Sequence, residues 1–296
     1  MQPSTEQPDN LEINPDVTII LPAFNEEQAI ADTIHSLKSL YPDYEILVVD
    51  DGSTDGTAQK AIEAGATVCR HPYNIGNGAA VKTGIRRARG EYVIMMDADG
   101  QHDPEDVKKL LEYRENYDMV VGARSKESTT AVHRDLANKI YNWFASYVTK
   151  FKIEDLTSGF RLFNRSLASK FIYLLPNTFS YPSTITMAYL RSGHTIKYIP
   201  IKTAKRQGKS KIKLLQDGTR FFLIITKIAT LFSPLRVFLP VSFTLFLLGS
   251  GYYLFTFIKY HRFSNMSALL FSTSVIIFMM GLVSEQISQS RYERTK

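Results

Sequence analysis

Cysteine and tryptophan are almost missing from this 296-residue chain, which has one of each, Cys69 and Trp143. A lone cysteine closes no internal disulfide, so a reducing compartment is expected for the bulk of the chain. Its context, Ala66-Thr67-Val68-Cys69, reads as a packed strand residue rather than a catalytic thiol. A glycine-rich dinucleotide fingerprint is absent too: Gly76 and Gly78 begin one, but Val81 stands where its third glycine belongs. That argues against a Rossmann dinucleotide site. The opening stretch, Met1 to Asp16, holds Pro3, Pro8 and Pro15 and has no apolar run. It is expected to be an unordered tail, not a signal peptide. The net charge of +6 is modest and unevenly placed, and no nucleic-acid partner is expected.

Uncharged runs of membrane-spanning length do occur, but only late. Val237 to Ile258 is roughly 22 residues without a charge, and Ser267 to Val283 is a second run of roughly 17. The first meets the length needed to cross about 30 Å of hydrocarbon and the second is near the lower limit. A pair of buried core helices is the alternative. Lys209, Lys211, Lys213, Arg220, Lys227 and Arg236 precede the first run, and Arg291, Arg294 and Lys296 follow the second. The loop between them has only Lys259 and Arg262, so both flanks are expected on the cytoplasmic side. From Ile212 to Phe232, apolar residues recur at helical spacing among basic ones, which predicts a basic amphipathic helix on the membrane surface.

Between tail and spans, strands alternate with helices. Val17–Leu21, Tyr44–Val49, Ala66–Cys69, Tyr92–Met96, Asp118–Val121 and Thr195–Ile199 read as strands. The helices expected between them carry apolar faces such as Ile30, Ile34, Leu37 and Leu40. This alternation predicts a helix-covered, mostly parallel α/β sheet. A long helix over Arg134–Lys150 carries Tyr141, Trp143, Phe144 and Tyr147, an aromatic stripe expected to face the core.

The apolar run Tyr92–Met96 ends in Asp97-Ala98-Asp99-Gly100-Gln101-His102-Asp103-Pro104. Open α/β folds place ligands at the carboxyl ends of their strands. Two carboxylates one residue apart are hard oxygen donors suited to Mg²⁺ or Mn²⁺ arriving with a phosphate. Helix-capping aspartates in a solvated turn are the alternative. Two further strand ends, Pro22–Glu26 and Asp50-Asp51, fall on the same edge of such a sheet. His102 and His133 lack metal-ligand spacing and read as bystanders; His194 reads as a turn residue.

Pro22-Ala23-Phe24-Asn25-Glu26, Val48 to Thr57 and Met96 to Pro104 resemble the family 2 glycosyltransferases of GT-A fold. Gly122-Ala123-Arg124, Arg134, Asp155 to Arg161 and Arg206-Gln207-Gly208-Lys209-Ser210-Lys211 resemble the polyprenyl-phosphate branch of that family. The only tryptophan lacks the QxxRW-like neighbourhood of processive synthases. The resemblance implies inverting transfer of a hexose, mannose or glucose, from a nucleotide sugar (GDP-mannose or UDP-glucose) to a polyprenyl phosphate such as dolichyl or undecaprenyl phosphate. It implies nucleotide-sugar contacts from Pro22, Asn25, Glu26, Asp51, Lys82, Asp97, Ala98, Gln101 and Ser210, with the metal at Asp97 and Asp99. Arg124 and Arg134 would hold the acceptor phosphate and Asp155 would orient the nucleophilic oxygen or take its last proton, unless it is a turn cap beside Thr157 and Ser158. Arg206 and Ser210 would close on the diphosphate, and Arg161 would either partner a carboxylate or bind ligand. The implied layout is a tail (1–16), a GT-A catalytic domain (17–210), a juxtamembrane segment (211–235), two transmembrane helices (236–284) and a basic tail (285–296). A catalytically idle GT-A scaffold in the membrane, or a different lipid acceptor, are the alternatives; oligomeric state is left open.

Overall fold

The computed structural model describes residues 15–125, 132–178, 181–203, 226 and 229–293. The elements are β1 (Val17–Ala23), α1 (Ile30–Leu40), β2 (Glu45–Asp50), α2 (Thr57–Glu63), β3 (Thr67–Arg70), α3 (Asn77–Arg87), β4 (Tyr92–Met95), α4 (Asp106–Leu111) and β5 (Met119–Arg124). They continue with α5 (Val132–Thr149), β6 (Arg161–Asn164), α6 (Arg165–Ser169), a 3₁₀ turn (Ile172–Leu174), α7 (Tyr181–Arg191), β7 (Ile196–Ile201), α8 (Pro234–Tyr260) and α9 (Asn265–Glu293).

The seven strands form one sheet in the order β3-β2-β1-β4-β6-β5-β7. All neighbours are parallel except β6, which runs against both β4 and β5. Successive residues of a strand face opposite sides of a sheet. Accordingly Ile20 joins the core under α3, α5 and α7, while Ile19 and Leu21 join the core under α1 and α4. Val17, Ile19, Ile20 and Leu21 are fully buried, as a strand covered on both faces requires. Each such Ile or Leu contributes about 1.5–3 kcal/mol. The central strand therefore anchors the loops at its end.

Helix α5 splits the expected aromatic stripe. Tyr141, Ala145 and Val148 are buried and Phe144 is half-buried against them, whereas Trp143 is 69% exposed. Ile140, Trp143 and Tyr147 recur at helical spacing on the opposite, outward face, and the Trp143 and Tyr147 rings stack 6.4 Å apart. A period of 3.6 cannot put residues 141 and 143 on one side. The expectation that all four aromatics face the core is corrected on that ground.

Helices α8 and α9 pack as an antiparallel hairpin. Ser242 Oγ donates to the Ser274 carbonyl and Ser274 Oγ donates to the Ser242 carbonyl, both at 2.9 Å. Small residues let apolar helices approach closely where no hydrophobic force joins them. Only 17% of each apolar window is buried, so these are not the core helices of a globular domain. Pro234–Tyr260 and Asn265–Ser290 are long and apolar enough to cross a membrane. The amphipathic segment expected over 212–232 lies mostly outside the described residues; at its end Ala229 and Phe232 are buried.

Candidate active site

The carboxyl ends of β1, β2, β4 and β5 and the entry to β6 share one edge of the sheet. Pro22 lies near the end of β1 and the chain then turns at Asn25, whose φ of 55° is left-handed, a conformation asparagine tolerates. Its N–H donates to Ser53 Oγ at 3.0 Å and its Oδ1 accepts the Thr54 N–H at 2.9 Å. The Glu26 N–H donates to Thr57 Oγ1 at 2.9 Å. The loops after β1 and β2 are thus one hydrogen-bonded unit.

Asp50 and Asp51 are both buried. Asp50 accepts the Ser53 N–H and pairs with Arg70 at 3.0 Å. Asp51 accepts the Ile75 N–H at 3.0 Å and the Gly76 N–H at 2.8 Å, with His71 Nδ1 2.7 Å away. The other His71 nitrogen meets Thr83 Oγ1 at 2.9 Å. Asp51 therefore sets the path of residues 71–76, and a cleft of about 740 Å³ opens between this segment and Gly52–Thr54. Nothing in the sequence pointed to His71, because its partner is twenty residues away in the chain.

The N-terminus of α3 is already capped. Gly78 N–H donates to the Thr178 carbonyl at 2.9 Å and Ala79 N–H to the Asn177 carbonyl at 2.8 Å. A Cβ on Gly78 would sit 2.1 Å from the Pro176 carbonyl oxygen, so only glycine admits this contact. Lys82 is directed into the same segment, donating to the Leu175 carbonyl at 3.3 Å and to Asn177 Oδ1. Burial pulls its ammonium below the usual lysine range, with the Arg86 charge adding to the effect. It ties α3 to residues 175–177 and does not line the cleft beside Asp51.

After β4, Asp97 keeps its side chain 44% exposed while Asp99 is buried and accepts the Gln101 N–H at 3.2 Å. Ala98 between them is buried. A Cβ on Gly159 would lie 3.0 Å from Asp97 Oδ2, so that residue abuts the carboxylate. His102 is no bystander: its ring is buried, stacks on Phe160 at 5.0 Å and brings Nε2 to 3.6 Å from Asp97 Oδ2. Its backbone pairs with Thr203, just before the basic segment 204–213. Among the described residues no three His, Cys, Asp or Glu side chains cluster to cage a metal. Asp97 and Asp99 fit instead a hard divalent ion, Mg²⁺ or Mn²⁺, that brings phosphate oxygens as its remaining ligands.

Asp155 enters from the loop before β6 and is 6% exposed. Arg124, ending β5, grips it in bidentate fashion, Nε to Oδ2 at 2.8 Å and Nη2 to Oδ1 at 3.0 Å. Asp155 also accepts the N–H groups of Thr157 and Ser158, each at 3.1 Å. It is both a turn cap and half of an ion pair. Burial alone would raise its pKa, but the hydrogen bonds and charge of Arg124 outweigh that and hold it below the ordinary carboxylate value. Arg161 is fully buried, and among the described residues it partners no carboxylate directly. It donates to the carbonyls of Ser158 at 2.7 Å and Leu156 at 3.2 Å and to Thr186 Oγ1 at 2.6 Å. Arg161 thereby pins the loop that carries Asp155 onto α7. Arg134 belongs to α5 near its start, and Arg206 and Ser210 lie outside the described residues.

Residues 18–172 match the family model "Glycosyl transferase family 2", and residues 233–290 match "GtrB C-terminal hairpin". An uncharacterised protein of Methanocaldococcus jannaschii is 37% identical over 204 residues, covering 65% of this chain and 83% of its own. An undecaprenyl-phosphate 4-deoxy-4-formamido-L-arabinose transferase of Pseudomonas fluorescens is 30% identical over 255 residues, 79% of this chain and 70% of its own. Glucosyl-3-phosphoglycerate synthase of Mycobacterium tuberculosis, crystallised with Mn²⁺, UDP-glucose and phosphoglyceric acid, has a TM-score of 0.60 at 20% identity. The match covers 73% of this chain and 80% of that one, and at such identity it shows a shared GT-A fold alone.

Proposed function

Since the chain belongs to glycosyl transferase family 2, we propose that this glycosyltransferase moves a hexose from a nucleotide-diphosphate sugar to a polyprenyl phosphate, with inversion. The observation that carries this reading is one sheet edge bearing both the Asp97–Asp99 carboxylates and the Arg124–Asp155 pair, on a domain joined to an apolar hairpin. A nucleotide diphosphate and a lipid phosphate need charge-handling groups of different kinds, and that edge has both.

The donor enters over Pro22, Asn25, Glu26 and the Asp51 loop, with its diphosphate towards Asp97, Ala98, Asp99 and Gln101. A divalent ion held by Asp97 and Asp99 would neutralise charge on the leaving diphosphate. Arg206 and Ser210 close over it and keep water from the anomeric carbon. Arg124 and Arg134 bind the acceptor phosphate. Such a monoester is largely ionised near neutral pH (its second pKa is about 6) and needs little help from a base. Asp155 acts through Arg124, fixing the guanidinium fork rather than touching the acceptor oxygen. The donor is GDP-mannose or UDP-glucose, and both flanks of the hairpin face the cytoplasm.

The test is a transfer assay on purified, detergent-solubilised protein with a short polyprenyl phosphate and Mg²⁺ or Mn²⁺. GDP- and UDP-sugars are offered one at a time. One donor giving an EDTA-sensitive glycolipid is the expected result. Tight nucleotide binding with no product from any donor would instead favour a scaffold.

A further inference from the structure

A carboxylate within an apolar helix is costly, and its default reading is a functional site in the membrane. Glu285 of α9 is such a residue, yet both of its oxygens have partners. Oε2 accepts the Leu235 N–H at 3.1 Å, and Oε1 lies 3.5 Å from Nη2 of Arg191. Leu235 stands in the first turn of α8, where amide protons lack partners and the helix dipole is positive. The N-cap residue there, Ser233, makes no capping bond with its own side chain. Glu285 supplies that cap from the neighbouring helix. One turn on, Ser288 Oγ donates to the Leu231 carbonyl at 2.7 Å.

Arg191 is the last residue of α7, and the first, Tyr181, donates its hydroxyl to the Gly159 carbonyl at 2.9 Å. Gly159 abuts Asp97, and Thr186, midway along α7, holds Arg161. A single helix, about 1.5 Å per residue, therefore runs from the loop beside the Asp97 carboxylate to the hairpin. The hairpin is also tied to α5: Arg236, next to Leu235, donates to the carbonyls of Tyr147, at 3.3 Å, and Val148.

We propose that Arg191 and Glu285 are a positioning pair which, through α7, fixes the height and tilt of the active-site edge above the membrane. This rests on the lipid-phosphate acceptor proposed above. The phosphate of a membrane-embedded acceptor sits at a depth set by the headgroups. A domain free to rock on its anchor meets it out of line, and misplacement near 1 Å costs up to about 100-fold. A short, dispersed acceptor diffuses to the site at any tilt.

The experiment compares the parent protein with R191E, R191K and E285Q, all full length and in lipid vesicles. Each is assayed with a long-chain polyprenyl phosphate in the bilayer and with a soluble two- or three-isoprene phosphate. For R191E, kcat/KM on the long acceptor is expected to fall about 10-fold, in line with a small misplacement, with the soluble acceptor and nucleotide affinity unaltered. E285Q, whose carbonyl still accepts the Leu235 N–H, reproduces the split if R191E folds poorly, and R191K restores most of the activity. Equal losses on both acceptors, or none on the long one, would overturn the proposal. A parent inactive on both acceptors would remove the functional reading beneath it.

Discussion

Replacing Asp155 by asparagine tests how the Arg124–Asp155 pair works. The change keeps the shape and leaves an acceptor for the Thr157 and Ser158 N–H groups. It puts an amide NH₂ where Oδ2 now accepts from both the backbone N–H and Nε of Arg124. Two donors then face a donor, and a guanidinium 30% exposed loses its counter-charge. Breaking a buried pair by removing one partner costs about 3–5 kcal/mol, and the retained Oδ1 argues for the lower end. For a domain of this size about 3 kcal/mol lowers Tm by about 6–12 °C. The pH dependence follows from the depressed carboxyl. Its contribution is complete above the unfolded carboxylate pKa of about 3.9 and disappears as pH falls through the lower folded value. The gap between parent and D155N should therefore be equal at pH 8 and pH 6 and close only in the acid range below about pH 4. Thermal unfolding in detergent, followed by fluorescence across that range, measures it. A Tm shift under about 2 °C at neutral pH, with transfer abolished, would refute the reasoning and make Asp155 a group that touches the reacting atoms.

Two further outcomes are expected. Gly78→Ala drives a methyl into the Pro176 carbonyl and should destabilise by about 1–3 kcal/mol through overpacking, visible as a lower denaturation midpoint. Asp99→Ala should cut transfer by about 100-fold or more while circular dichroism stays native and Mn²⁺-dependent nucleotide binding is lost; full activity would remove Asp99 from the metal site.

The parallel half of the sheet was legible because β1, β2 and β4 are apolar runs that stop abruptly at polar loops. Strand β6 was not, since it is four residues long and begins at Arg161, whose charge suggested a ligand or an ion-pair partner rather than a fully buried staple. Between Arg161 and Thr195 the sequence suggests one small helix where the structure has both α6 and α7, because Pro182 and the threonines of α7 mask its helical pattern. The partners of Asp155 and Asp51 could not be read either. Arg124 and His71 are 31 and 20 residues distant in sequence, and only the sheet edge brings them together. The motif residues Asp97 and Asp99 stood out by spacing, whereas His102 and Glu285 have chemistry that depends wholly on what packs beside them.

The reversed strand β6 also sets a timetable for the nascent chain. Strands β1 to β4 can pair as soon as Met95 has left the ribosome, because each has its neighbour already made. Strand β5 has none: β6 and β7, the two strands that flank it, both follow it out of the ribosome. At about 5–20 residues per second, the stretch from Arg124 to Asn164 takes roughly 2–8 s. Throughout that interval, and already from the moment Met95 emerges, Val93, Ile94 and Met95 form an open apolar edge, the kind of surface on which chains aggregate. The hairpin is made later still, so the globular half must survive this interval before its hairpin has been made.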